Sequence, residues 1–187
     1  MILEGRQCVL AGLLPGDGDG GSTVRNLLRP TRLAEAVWKI SLDWLSSRGI
    51  RGLILDLDNT LVDWNDTRVR PEVRAWLEEA RGKGFALCVA SNALGGGRVG
   101  RVARELGLEV VVHAGKPFPV AFRRAMASLG TTANTTCAIG DQLFTDMLGA
   151  NWLGIATVLV EPLSSRESPH TRLIRVIERP MRRRWAR

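Results

Sequence analysis

A chain of 187 residues, 45% hydrophobic and 24% charged, has the size and composition of one globular domain with a sizeable core, which excludes disordered and collagen-like classes. Its net charge of +7 would point to nucleic acid if it were spread over one surface, but residues 166–187 hold eight arginines and two glutamates, so +6 lies in this tail and the body is nearly neutral. Cys8, Cys88 and Cys137 lie far apart with no CxxC spacing, which indicates neither a zinc site nor a disulfide framework and fits a reducing cytoplasm. No apolar run approaches the roughly 20 residues of a membrane span, and "MILEGRQCVLAGLLPG" lacks the order of a signal peptide.

In chain order, residues 12–22, "GLLPGDGDGGS", have no pattern for packing, and residues 1–30 read as a flexible leader ahead of a domain over 31–187. From Thr31 the spacing of Leu33, Val37, Trp38, Leu42 and Leu45 predicts a helix that stops at Gly49. An alternation follows. Apolar runs at 53–57, 85–90, 109–112, 136–139 and 155–160 predict strands, separated by helices near 71–81, 97–106, 118–129 and 143–151. Strand and helix alternating over short connections imply right-handed crossovers, hence an α/β fold with a mainly parallel, Rossmann-like sheet covered by helices on both faces.

Ligand sites in such sheets form beyond the carboxyl ends of the strands, and every strand end here carries polar chemistry. The first run, "GLILDLDNT", ends in Asp56 and Asp58; the second precedes Ser91 and Asn92; the third leads to Lys116; the fourth, "TCAIGDQLFTD", leads to Asp141 and Asp146. A buried strand normally avoids ionised carboxylates. Acids converging with a lysine match what a phosphate monoester dianion requires, namely a carboxylate made usable by a metal ion and cations that offset the crowded negative charge. The donor types, aspartates with no His or Cys cluster, suit Mg²⁺.

This order of motifs, from about Leu53 to Val160, resembles the haloacid dehalogenase (HAD) superfamily of aspartate-nucleophile phosphatases. "SNALGGGRV", "GDQLFTDMLGAN" and "TRLIRVIER" look like its YqeG-type branch, in subfamily IIIA, related to phosphatidylglycerophosphate phosphatases. The resemblance implies that Asp56 is the nucleophile and that Asp58 is the general acid and base. It implies that Asp56, Asp141 and the main-chain carbonyl of Asp58 hold Mg²⁺, that Ser91, Asn92 and Lys116 hold the phosphoryl oxygens, and that Asp146 orients metal-bound water or the lysine. Members without a carboxylate at the place of Asp58 halt at halide displacement or transport chemistry, so its presence favours phosphatase or phosphotransferase activity.

Other motifs fail. An EF-hand beginning at Asp56 would need Gly and Glu where Leu61 and Thr67 stand, and a P-loop ending at Lys116 would need Ser or Thr at Pro117. "GGGRVG", Gly95 to Gly100, lies too far from its strand for dinucleotide binding and reads as a loop beside the phosphate site. His113 and His170 are isolated, and Trp64 stands where it could edge the substrate opening.

Ser91 follows Asp58 by only 33 positions and Lys116 follows Asn92 by 24, which leaves no room for a cap domain. An uncovered site suits a large substrate, a protein, a nucleic acid end or a lipid head group, or a lid supplied by a second copy in a homo-oligomer; the spacing does not choose. A basic binding protein on the same fold is the alternative to an enzyme. In the tail, Leu173, Ile177, Met181 and Trp185 recur every four residues among arginines, as in a basic amphipathic helix lying peripherally on the anionic inner face of a membrane, with Pro180 arguing against one straight helix. No specific nucleic acid partner is expected.

Overall fold

The computed structural model describes residues 26–93, 96–111 and 114–185. Residues 12–22 and His113 lie outside these, as do the side chains of His170, Arg183 and Arg184. Six strands, β1 (Arg32–Ala34), β2 (Gly52–Leu55), β3 (Ala86–Ala90), β4 (Glu109–Val111), β5 (Thr136–Gly140) and β6 (Ala156–Val160), form one sheet in the order β1-β6-β5-β2-β3-β4. Every pairing is parallel. The central β2 is buried along its whole length, which is why it reads as an unbroken apolar run without alternation.

Alternate strand residues feed opposite cores. Leu53, Leu55, Val89, Cys137 and Ile139 pack with α1 (Leu42–Ser47), α2 (Pro71–Gly82) and α3 (Gly96–Glu105). Ile54, Cys88, Ala90 and Ala138 pack with α4 (Pro119–Leu129) and α5 (Leu148–Trp152). A third cluster, Leu28, Leu143, Met147 and Leu159, receives Met181 and Trp185 of the last helix, α6 (Pro169–Trp185). From β2 the chain builds outward to β3 and β4, then returns to β5 and β6 on the other side, so the carboxyl ends of β2 and β5 meet where the order reverses.

Three expectations are corrected. Residues 32–34 form an edge strand instead of opening a helix; reciprocal bonds between Thr31 and Thr157, 3.1 and 3.0 Å, pin them to β6. The helix is confined to Leu42–Ser47, where the Ser41 hydroxyl accepts the Trp44 amide. Leu28 is buried and the Asn151 side chain donates to the Leu27 and Arg29 carbonyls, so residues 26–30, read as leader, pack on the domain. The glycines from Gly96 to Gly100 lie in α3 and do not form a loop.

Candidate active site

Beyond β2 the chain keeps one more sheet bond, from the Asp56 amide to the Ile139 carbonyl at 2.9 Å, which fixes Asp56 over the join between β2 and β5. Asn59 then takes a left-handed conformation (φ 62°), one that Asn tolerates better than most residues. Its amide donates to Val62, while its side chain donates to the Arg166 carbonyl and accepts the Ser164 hydroxyl. The turn after the two aspartates is thereby tied to the segment leading into α6. Asp58 accepts both 2.6 and 2.8 Å bonds from Arg98 Nη2 and another from the Asn65 amide.

Lys116 is the hub. Its buried Nζ donates to Asp56 Oδ1 at 2.5 Å and to Asp146 Oδ1 at 2.6 Å. Asn92 grips its backbone from both sides, Nδ2 donating to the Lys116 carbonyl and Oδ1 accepting the Lys116 amide, each at 2.8 Å. The amide expected to meet phosphate is therefore used to position the lysine. Asp146 also accepts the Gln142 amide, and a side chain on Gly140 would collide with the Asp146 carboxylate, so β5 must end in glycine for this carboxylate to reach Lys116. Buried Ser91 accepts the Ala93 amide and lines the same cleft.

Asp141 is wholly buried at the end of β5. Its Oδ2 accepts Arg175 Nη2 at 2.5 Å, and its main-chain carbonyl accepts Arg175 Nη1 at 3.0 Å and Arg182 Nη1 at 2.8 Å. Oδ1 has no partner. Burial pushes Asp56 well above the ordinary carboxylate range; Lys116 pulls it back, while Asp146 and Asp141 raise it further. Burial likewise lifts Asp141 to about 7, against the pull of Arg175. For Lys116 burial acts downward, but the Asp146 and Asp56 carboxylates outweigh it and the ammonium is held above its usual value.

One oxygen from each of Asp56, Asp141 and Asp146 lies within 4.8 Å of the others. When all three are ionised, these carboxylates against one lysine and one arginine leave a residual negative charge that a cation would offset, and a buried oxygen on Asp141 without a partner among the described residues suits one. The donor set fits a hard divalent metal. The Asp58 carboxylate is engaged by Arg98, so its expected share in a metal shell rests on its main-chain carbonyl alone.

Asp56, Asp58, Ser91 and Lys116 floor an open cleft of about 800 Å³, walled by Trp64, Asn65, Phe144, Leu148, Thr171 and Ile174. The sequence reading assembled Asp56, Asp58, Ser91, Asn92, Lys116, Asp141 and Asp146, and the structure brings all seven to this end of the sheet. It missed Arg98, inside the glycine-rich stretch, and the α6 residues Arg175, Glu178 and Arg182. Their spacing of three and seven along one helix was a signal that these charges share a side.

Residues 113–173 match the HAD-hydrolase-like family model. Over 156 residues the chain is 34% identical to the probable phosphatase YqeG of Bacillus subtilis, covering 83% of this chain and 90% of that protein. The chain belongs to the HAD-like hydrolases, in the YqeG branch. It is also 30% identical over 157 residues to phosphatidylglycerophosphate phosphatase 1, chloroplastic/mitochondrial, of Arabidopsis thaliana, covering 78% of this chain but 45% of the plant protein; the HAD chain described here thus spans about half of that relative. Its fold is shared with the 4-nitrophenylphosphatase of Thermotoga maritima (TM-score 0.50, 15% identity, 66% of this chain and 90% of that one).

The raised Asp141 gives this HAD site a pH signature. The carboxyl titrates at about 7 when folded and near ~4 when unfolded. Between these values the folded state holds the extra proton, so the contribution of this group to stability rises as pH falls from 8 to 5. In chelator, the melting temperature of Asp141→Asn relative to the parent should be greatest at pH 8 and decline toward pH 5. A difference independent of pH would mean that Asp141 is ionised throughout.

Proposed function

We propose that this chain is a Mg²⁺-dependent phosphate monoester hydrolase working through an aspartyl-phosphate on Asp56, and that its substrate is the lipid phosphate ester phosphatidylglycerophosphate. The observation that carries the reading is the buried Asp56–Lys116–Asp146 chain beside Asp141, with Asp56 and Lys116 lining an open cleft.

Asp56 attacks phosphorus and the ester oxygen departs with a proton from Asp58. Asp58 then accepts a proton from the water that attacks the acyl phosphate, releasing inorganic phosphate and restoring the Asp56 carboxylate. Arg98 occupies both Asp58 oxygens, so the acid role requires the guanidinium to let go, and a phosphoryl dianion entering the cleft is a competing partner for it. Lys116 and Ser91 hold phosphoryl oxygens. Asp56, Asp141 and the Asp58 carbonyl would hold Mg²⁺, which when bound offsets the charge of carboxylate and phosphate as they approach.

The lipid reading is supported by α6. Its Ser168 hydroxyl accepts the Thr171 amide at the helix start; Thr171 and Ile174 face the cleft. Leu173, Val176 and Ile177 are 68%, 59% and 55% exposed, and exposed Arg172 and Arg179 flank them. Met181 and Trp185 instead pack inward. A four-residue repeat turns 40° per step on a helix of 100° per residue, so the stripe Leu173, Ile177, Met181, Trp185 begins outside and winds under. Only its first half can meet a surface, and Pro180 lies within the helix. No described helix is long and apolar enough to cross a membrane; an apolar strip with two arginines beside an open cleft supports peripheral contact with anionic lipid.

The test is turnover with Mg²⁺ of phosphatidylglycerophosphate in anionic vesicles, against a nucleotide and phosphopeptide panel and a generic soluble ester. The parent should prefer the vesicle substrate. Leu173→Glu/Ile177→Glu should lose about tenfold or more on vesicles and little on the soluble ester. Preference for a nucleotide or phosphopeptide, or equal loss on both substrates, would remove the lipid reading.

A further inference from the structure

The last helix reaches into the site at three points that the chemistry above does not use. Arg175 binds both the carboxylate and the main-chain carbonyl of Asp141. Arg182 donates to the same carbonyl and to the Val160 carbonyl at the end of β6. Glu178, fully buried, accepts the amides of Leu143 and Phe144 at 2.8 and 3.2 Å. The whole strand-end turn, from Asp141 to Phe144, is thus suspended from one side of α6. At the far side of Arg175, Glu167 offsets its charge.

We propose that Arg175 is a positioning residue for the metal centre: with Arg182 and Glu178 it fixes the Asp141 carboxylate so that one oxygen is bonded to the protein and the other is left for the divalent cation. The proposal rests on the reading of Asp141 as a metal ligand. Among the described residues this carboxylate at a strand end has no other donor on Oδ2 and none on Oδ1. A planar guanidinium that reaches the carboxylate and the carbonyl of the same residue sets the rotation of that side chain, which an ammonium, a point charge, does not. Outer groups of this kind are typically worth about 10- to 100-fold in metal affinity. Arg175 also places a cation near the metal, and repulsion would act in the opposite sense; with Glu167 against its other edge that charge is largely balanced, so orientation decides.

The experiment is calorimetric titration of MgCl₂ into the metal-free full chain, for the parent, Arg175→Gln, Arg175→Lys, Arg182→Gln and Asp141→Ala. The expected result is a dissociation constant about 10- to 100-fold weaker in Arg175→Gln, similarly weak in Arg175→Lys, weakened by a smaller factor in Arg182→Gln, and no binding in Asp141→Ala. At saturating Mg²⁺ the KM of Arg175→Gln for a soluble phosphate ester should match the parent, a split that simple loss of stability would not produce. Parental or tighter Mg²⁺ binding in the Arg175 variants, with Asp141→Ala still abolishing it, overturns the positioning role alone. Mg²⁺ binding untouched by Asp141→Ala overturns the metal-ligand reading beneath it as well. If Arg175→Gln does not fold, Arg175→Lys and Arg182→Gln decide by the same criterion.

Discussion

Asp56→Asn should give a folded protein with turnover reduced at least about a thousandfold, in line with the removal of a nucleophile in other covalent enzymes. The amide keeps the shape and can still accept from Lys116, but it carries no anion to attack phosphorus. Lys116 retains Asp146 as a partner at 2.6 Å, so no cation is stranded. Burial already disfavours the charged form of Asp56, which means that neutralising it should leave metal-free stability at neutral pH unchanged or higher. The paired measurement is steady-state hydrolysis of a phosphate ester with saturating Mg²⁺ beside a thermal melt in chelator. Activity within about tenfold of the parent would remove Asp56 from its role.

Lys116→Met should be costly in both stability and rate. The ammonium touches two buried carboxylates, Asp56 and Asp146, and its loss leaves them facing one another without a cation. Breaking a buried pair by removing one partner typically costs about 3–5 kcal/mol, while methionine keeps the stem volume. The carboxylates can escape this only by taking up protons, so the deficit against the parent should shrink as pH falls from 8 toward 5. Urea unfolding in chelator at both pH values measures it, and turnover should fall at least about a hundredfold through loss of phosphoryl stabilisation. A deficit that is small, or constant with pH, would mean that Lys116 is not what holds the two charges in place.

Much of this was legible from residues alone because buried parallel strands are apolar runs, and β2, β3, β5 and β6 each end abruptly in a polar residue. Strand β1 was not legible: three residues carry no period, and what makes them a strand is β6, more than a hundred positions away. Nor were the arginines that bind the acids. Arg98 stands 40 residues from Asp58 and Arg175 stands 34 from Asp141, so each pairing is a product of the completed fold. The C-terminal stripe was misread for a local reason, since a repeat of four looks straight in a sequence and winds on a helix. Asn92 was assigned to phosphate by the resemblance alone; the backbone of Lys116, present only once β4 lies beside β3, claims its amide.

Helix α6 has opposite sides with opposite duties. Ile177 is bare to solvent while Glu178, the next residue, is buried against the turn that carries Asp141. A rigid rod cannot be steadied on one side only. Met181 and Trp185 pin its far end, and Arg175 and Glu178 hold its middle against the turn after β5. A surface that bound Leu173 and Ile177 and strengthened these bonds would tighten Mg²⁺, and Mg²⁺ would tighten the hold on that surface by the same factor, because coupling between two bound states is reciprocal.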